Sequence, residues 1–146
     1  MTVRRNDPYL ASNFVVEIDD VAEIEVARVE LPRSEVEEVA HRDGSSRTHE
    51  SEKTPGLVRY TRLVLHRGLD GRTDFYDWWS RARDGAAGVD RNIVVTLLDE
   101  ARTTEVWRWT FIDAFPVAYH FTALDGASSE FVVETLELAF DRMRIE

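Results

Sequence analysis

The sequence predicts a mainly β domain, an antiparallel two-sheet barrel or sandwich with one flanking α-helix. Three observations carry this. Apolar and polar residues alternate with a period of two over several short runs, among them 13–19, 57–67, 105–112 and 130–141. Only one segment, about 74–84, has helical periodicity, with Phe75, Trp78, Trp79 and Ala82 at i, i+3, i+4 and i+7. Between strand-like runs, about 41–56 contains no Val, Leu, Ile, Met, Phe, Tyr or Trp, which predicts a long polar loop. With 146 residues the chain makes one domain, whose core buries about two-thirds of the unfolded surface.

In chain order, residues 1–12 read as an extended arm, because Pro8 fixes its own φ and biases Asp7 away from helix. Residues 13–19 form a half-buried strand with Phe14, Val16 and Ile18 on one face and Val15 and Glu17 on the other. A second run, 23–31, points Ile24 and Val26 one way with Arg28 and Glu30, and Ala27, Val29 and Leu31 the other. Pro32 interrupts it, as at an edge or bulge. Residues 36–40 then continue the sheet. After a Pro55-Gly56 turn, 57–67 form one strand with Leu63 and Leu65 opposite Tyr60 and Val64.

Thr73 or Asp74 supplies a side-chain oxygen to cap the helix, and Gly85 ends it. The run 92–98 is apolar enough for a central strand. Residues 105–112 place Trp107, Trp109 and Phe111 on one face, and Pro116 separates them from a short piece at 117–121. The last strand, 130–141, gathers Val132, Glu134, Leu136, Leu138 and Phe140, with Phe131, Val133, Thr135, Glu137 and Ala139 opposite. The expected core is therefore Phe14, Phe75, Trp78, Trp79, Trp107, Trp109, Phe111, Leu136 and Leu138.

Composition narrows the function. A net charge of −10 argues against a duplex-binding groove, which needs concentrated Lys and Arg. Lys53 is the only lysine among 18 basic residues, a bias that a GC-rich genome or adaptation to high salt would produce. No cysteine is present, so disulfides and thiolate metal sites are excluded. No apolar run reaches the ~20 residues of a membrane span. His41 and His49 share the polar loop without metal-ligand spacing, and no GxSxG, GxGxxG or Walker motif occurs. No catalytic, cofactor or metal residue is expected. Trp78-Trp79 and Trp107-Arg108-Trp109 could stack on bases, but their spacing suits core packing better. Trp107, Trp109 and Phe111 could also line the pocket of a monomeric ligand-binding barrel.

Several segments taken together resemble one family. They are Asp7-Pro8-Tyr9 with 13–19; Thr54-Pro55-Gly56-Leu57-Val58-Arg59-Tyr60 with His66-Arg67-Gly68; Phe75-Tyr76-Asp77-Trp78-Trp79; 91–100; 107–117; and the ending at 127–143. In order and spacing they resemble the tube proteins of contractile phage tails and extracellular contractile injection systems. The resemblance implies a non-enzymatic protomer. Hexameric rings of it stack into a hollow conduit for DNA or protein cargo, which the lumen does not bind specifically. Sheath, baseplate or hub, and tube-cap proteins are the implied partners. Assembly would take place in the cytoplasm, for a virion tail or an injection particle. A baseplate-proximal initiator ring is a variant of the same reading.

The resemblance also assigns the loop and the arm to contacts between subunits or rings. The candidates are Asp7, Pro8, Tyr9, Arg42, Arg47, Glu50, Glu52, Lys53, Pro55 and Gly56. Glu17, Glu134 and Glu137 are the candidate lumen residues. The family's glycine-rich turn after the first strand is absent, since 21–29 contain no glycine.

Overall fold

The computed structural model describes residues 8–19, 22–42, 44 and 50–146. Its elements run β1 (Phe14–Ile18), β2 (Ala22–Ile24), β3 (Arg28–Glu30), β4 (Ser34–His41), β5 (Glu52–Tyr60), β6 (Leu63–Gly68), α1 (Asp74–Arg83), β7 (Arg91–Leu98), β8 (Glu105–Phe121), β9 (Val133–Ala139) and β10 (Arg142–Ile145). A first sheet has the order β2-β1-β7-β8, with β10 on the far side of β8. A second runs β8-β9-β6-β3. All pairings are antiparallel. The sheets share β8 and form an open sandwich, not a closed barrel.

β8 passes from one sheet to the other without a break, so Pro116 does not end a strand as expected. Asp113 makes the crossing, with φ 54° and its N–H donated to Asn92 Oδ1 at 3.1 Å. The kink moves the inward positions from Phe111 to Ala114 and Pro116. From Phe115 onward β8 pairs only with β9, and an edge strand tolerates the missing proline N–H.

Two other runs expected to be single strands are divided. Residues 23–31 split into β2, paired with β1, and β3, paired with β6. The inward residues Ile24 and Val29 are an odd number of positions apart, so one alternating strand could not bury both. The run 57–67 splits at Thr61, whose N–H reaches Arg33 O at 3.0 Å while its Oγ1 accepts the Arg33 N–H at 2.6 Å. This double bond fixes a corner from which β4 and β5 leave as a separate two-stranded ribbon. Residues 36–40 therefore do not continue a main sheet. The polar loop is also shorter than 41–56, since His41 lies in β4 and Glu52 to Gly56 in β5.

One apolar cluster fills the space between the sheets. The first sheet contributes Val16, Ile18, Ile24, Ile93, Val95 and Phe111; the second contributes Leu63, Leu65, Leu136 and Leu138. α1 adds Phe75 and Trp78, and Trp78 Nε1–H donates to Val89 O at 2.7 Å. Phe14, Trp79 and Trp109 are partly buried against this cluster. Trp107 is not core: it is 41% exposed, at the end of β8 beyond the cover of the second sheet. The expected cap also differs. The Thr73 hydroxyl donates to Asp77 Oδ2 and not to backbone, while Asp74 Oδ1 accepts the Phe75 N–H at 3.0 Å. β10 lies beyond the last expected strand, 130–141, and adds an edge that the sequence analysis does not predict.

Candidate assembly surfaces

Every residue of the β4–β5 ribbon is exposed except Tyr60, which is half-buried, and its apolar side chains are the informative ones. Val36, Val39, Leu57 and Val58 are 44–70% exposed, with Val36 directly opposite Val58. The ribbon's ion pairs, Arg33–Glu35 at 2.7 Å, Arg59–Glu37 at 3.6 Å and Lys53–Glu38 at 4.0 Å, all lie in solvent. Each contributes about 0–1 kcal/mol, and a lone two-stranded ribbon is marginal in water. Apolar surface on such an element calls for a partner.

Gly56 and Pro55 shape the ribbon. A Cβ on Gly56 would lie 2.9 Å from Val39 Cγ2 and 3.2 Å from Glu37 O, at the bulge between Val36 and Glu38. Pro55 faces Glu38 in a ribbon that has only edge strands, where proline is tolerated. Gly56→Val should force the two strands apart. Amide exchange in β4 and β5 should accelerate, while the melting free energy of the sandwich changes by less than about 0.5 kcal/mol.

The other candidate contacts separate into two places. Arg42 and Glu50 are exposed at the base of the ribbon's tip, and Glu52, Lys53, Pro55 and Gly56 lie along β5. Pro8 and Tyr9 are exposed in the segment before β1, beside Leu10. Asp7 and Arg47 lie outside the described residues.

The three candidate lumen carboxylates have three different environments. Glu17 is exposed on the bare face of the first sheet. Glu137 is on the outer face of the second sheet, 3.3 Å from both Arg62 and His120. Glu134 is 1% exposed and cannot face a lumen. It continues the inward row of Leu136 and Leu138, as the alternation of its strand placed it.

Glu134 belongs to a buried polar cluster that sequence reasoning did not assemble. Arg67, opposite it on β6, donates from Nε to Glu134 Oε1 at 2.8 Å. Its two terminal nitrogens grip Asp74 at the start of α1, at 2.5 and 3.2 Å. Tyr119 Oη–H donates to Glu134 Oε2 at 2.6 Å, and the guanidinium stacks 3.8 Å from the Phe75 ring centre. Burial would raise the Asp74 pKa, but its bonds to Arg67 outweigh this and hold it below the usual carboxylate range. Burial, with the bond to Glu134, pushes the Tyr119 phenol up. Every charged atom is matched, so the cluster locks α1 onto the second sheet and leaves no group poised for chemistry. The only sequence signal was a glutamate on an apolar face.

A groove of about 620 Å³ opens between the sheets near Phe14, Ile24, Val26, Arg67, Arg72 and Phe131. Trp107, Trp109 and Phe111 do not line it, so the aromatic pocket of a ligand barrel is not formed there. Among the described residues no group of three or more His, Asp or Glu side chains is placed to hold a metal.

The family described as T4-like virus tail tube protein gp19 matches residues 10–144. No curated protein matches the chain. Among solved structures, a chain of the extended sheath-tube complex of the extracellular contractile injection system PVC is 24% identical, with TM-score 0.85, covering 97% of this chain and 93% of that one. A chain of the anti-feeding prophage tube-terminating cap is 22% identical, with TM-score 0.87 and coverage of 100% and 95%. Hcp1 from Flavobacterium johnsoniae is 15% identical, with TM-score 0.58 and coverage of 90% and 93%. At these identities the structural likeness speaks for the fold.

Proposed function

This chain belongs to the T4-like virus tail tube protein gp19 family, and from that premise we propose that residues 1–146 act as one tube domain whose copies form hexameric rings. The rings stack into the hollow inner tube of a contractile phage tail or injection particle. The protein's work is assembly, and it carries no catalytic step. Its partners are its own copies first, then a sheath around the tube and the baseplate and cap proteins at its ends. The lumen passes DNA or protein cargo without binding it specifically. The tube is put together in the cytoplasm and leaves as part of the particle. No helix among the described residues is long and apolar enough to cross a membrane.

The observation that carries the reading is the β4–β5 ribbon, with Leu57 and Val58 bare to solvent on an element held to the sandwich only at its base, by Tyr60 against Phe140 and the Thr61–Arg33 corner. A neighbouring subunit or ring is the cover it needs, and Arg42, Glu50, Glu52, Lys53 and the segment at Pro8-Tyr9 flank that contact. Negative-stain electron microscopy of the purified protein, in molar salt and after dialysis to low salt, tests it. Six-fold rings or hollow tubes are expected. The net charge of −10 should make them less stable at low salt, where the carboxylates repel over a longer range. A monomer that persists even with sheath and baseplate proteins present would overturn the reading.

A further inference from the structure

Resting on that tube reading, we propose that His66 is a positioning residue: it ties three strands of the second sheet together across their outer face and so fixes the root from which the β4–β5 ribbon projects. The strand at that root needs a tie. β3 is three residues long and forms an edge, holding β6 through the pairs Arg28–His66, Val29–Leu65 and Glu30–Val64. Ala27 adds one backbone bond, its N–H donated to His66 O at 2.8 Å. Of the three side chains on β3, only Val29 packs against the core. Leu31 and Pro32 then carry the chain to Arg33, where the Thr61 corner begins the ribbon. A strand this short, with one apolar contact, frays readily at the point where the ribbon's direction is set.

Alternation on β6 supplies the tie. Leu63, Leu65 and Arg67 point inward, which turns Val64 and His66 outward. On one side His66 Nε2 lies 2.8 Å from Glu30 Oε2 of β3. On the other, Nδ1 lies 3.0 Å from Thr135 Oγ1 of β9, the residue directly opposite. A carboxylate only accepts, so Nε2 carries the hydrogen. The Thr135 hydroxyl donates to a bare Nδ1 or accepts from a protonated one, so the bridge is complete in either state of the ring. The bond from His66 holds the Glu30 carboxyl below the usual carboxylate range; desolvation opposes this, and Arg28, 3.4 Å from Glu30 Oε1, assists. Thr135 is buried and His66 half-buried, unlike the ribbon's own ion pairs, which stand in solvent. A charge-assisted bond with such shelter holds geometry better than a surface pair does.

His120 provides the contrast. It faces Thr135 from β8 and lies 3.3 Å from Glu137, which also meets Arg62. The chemistry is the same, histidine against glutamate on one outer face. Yet this pair spans β8 and β9, which are already in register from Phe115 to Phe121, and neither strand leads to the ribbon. His66 instead joins β3 and β6, the two strands that flank the ribbon in the chain.

Substitutions that mimic one ring nitrogen at a time test the tie. His66→Gln sets an amide N–H where Nε2 stands and keeps the bond to Glu30. His66→Asn sets its amide near Nδ1 and reaches Thr135 only. His66→Asn should therefore raise the concentration needed for tubes by about tenfold, the equivalent of one charged hydrogen bond. His66→Gln should stay within about threefold of the wild type. Glu30→Ala should match His66→Asn, with no further loss when the two are combined. His120→Ala should assemble as the wild type does. Negative-stain microscopy and sedimentation follow the tubes, and amide exchange at β3 and β4 is measured on the unassembled protein. Exchange there should accelerate in His66→Asn and not in His66→Gln. If His66→Asn and His66→Gln assemble alike, or if His120→Ala loses as much as His66→Asn, the positioning role is overturned and the tube reading stands. A wild type that forms no tube with its sheath and baseplate partners would overturn the tube reading and the assembly role that rests on it. The exchange contrast between the two variants would then still decide whether the tie itself exists.

Discussion

Arg67→Ala is expected to lower the unfolding free energy by about 3–5 kcal/mol, the largest effect of any single change to this protomer. The loss comes from what is left behind. Glu134 is 1% exposed and would keep its charge in the core with only the Tyr119 hydroxyl as donor. Asp74 would lose its fork, and Phe75 the cation stacked on it. Urea denaturation of wild type and variant measures the difference. A control separates a stranded charge from lost packing. Arg67→Met with Glu134→Leu removes both charges and fills similar volume, so it should recover most of the deficit. If the double variant is as unstable as Arg67→Ala, the cluster's contribution is packing and not charge compensation.

The same cluster sets the pH limits. The folded-state pKa of Asp74 is depressed by Arg67, so its contribution is complete above the unfolded value of about 3.9 and is lost as pH falls through the folded value. Tyr119 is shifted the other way. Its folded pKa is raised, so its contribution is complete below the unfolded value of about 10 and is lost as pH rises through the folded one. A melting temperature that is level between about pH 5 and 9 and falls on both sides is the expected profile. Asp74→Asn should flatten the acid limb and Tyr119→Phe the alkaline one.

How much of this could be read from sequence depends on what kind of interaction fixed each feature. Period-two alternation identified strands within 13–19 and 130–141 because each has one face on the core, and the continuous apolar run 92–98 marked a central strand. The helix was legible because Phe75 and Trp78 must share a face and Gly85, at φ 73°, gives it a place to stop. Alternation says nothing about which sheet a strand joins, so 23–31 looked like one strand when its halves pair with different ones. Pro116 looked like a terminator because local propensity cannot know that β8 has become an edge. Glu134 was placed on the right face and given the wrong role, since its partner Arg67 comes 67 positions earlier. The ribbon was the hardest to see: Leu57 and Val58 have the same pattern on an exposed ribbon as on a buried sheet. The bridge from Glu30 through His66 to Thr135 needs three strands in register before it exists at all.

Leu57→Asp with Val58→Asp should abolish tubes while leaving the protomer folded. The two side chains are 70% and 60% exposed in the protomer, so their loss removes almost no core contact, and the melting free energy should move by no more than about 0.5 kcal/mol. Assembly should respond very differently. Covering each side chain with a neighbour is worth roughly 1.5–3 kcal/mol, and a buried carboxylate in its place adds an uncompensated desolvation cost. The penalty recurs at every contact of a ring or stack, so a tenfold weaker contact becomes the absence of long tubes. Microscopy and sedimentation at matched concentration, alongside thermal melts, read both halves of the expectation. Tubes of wild-type length from the double aspartate variant would show that the ribbon lies outside the assembly contacts, and would move the search to Tyr9, Leu10 and the exposed Phe131. Rings that form but no longer stack would assign the ribbon to the contact between rings. Loss of rings as well would place it between subunits.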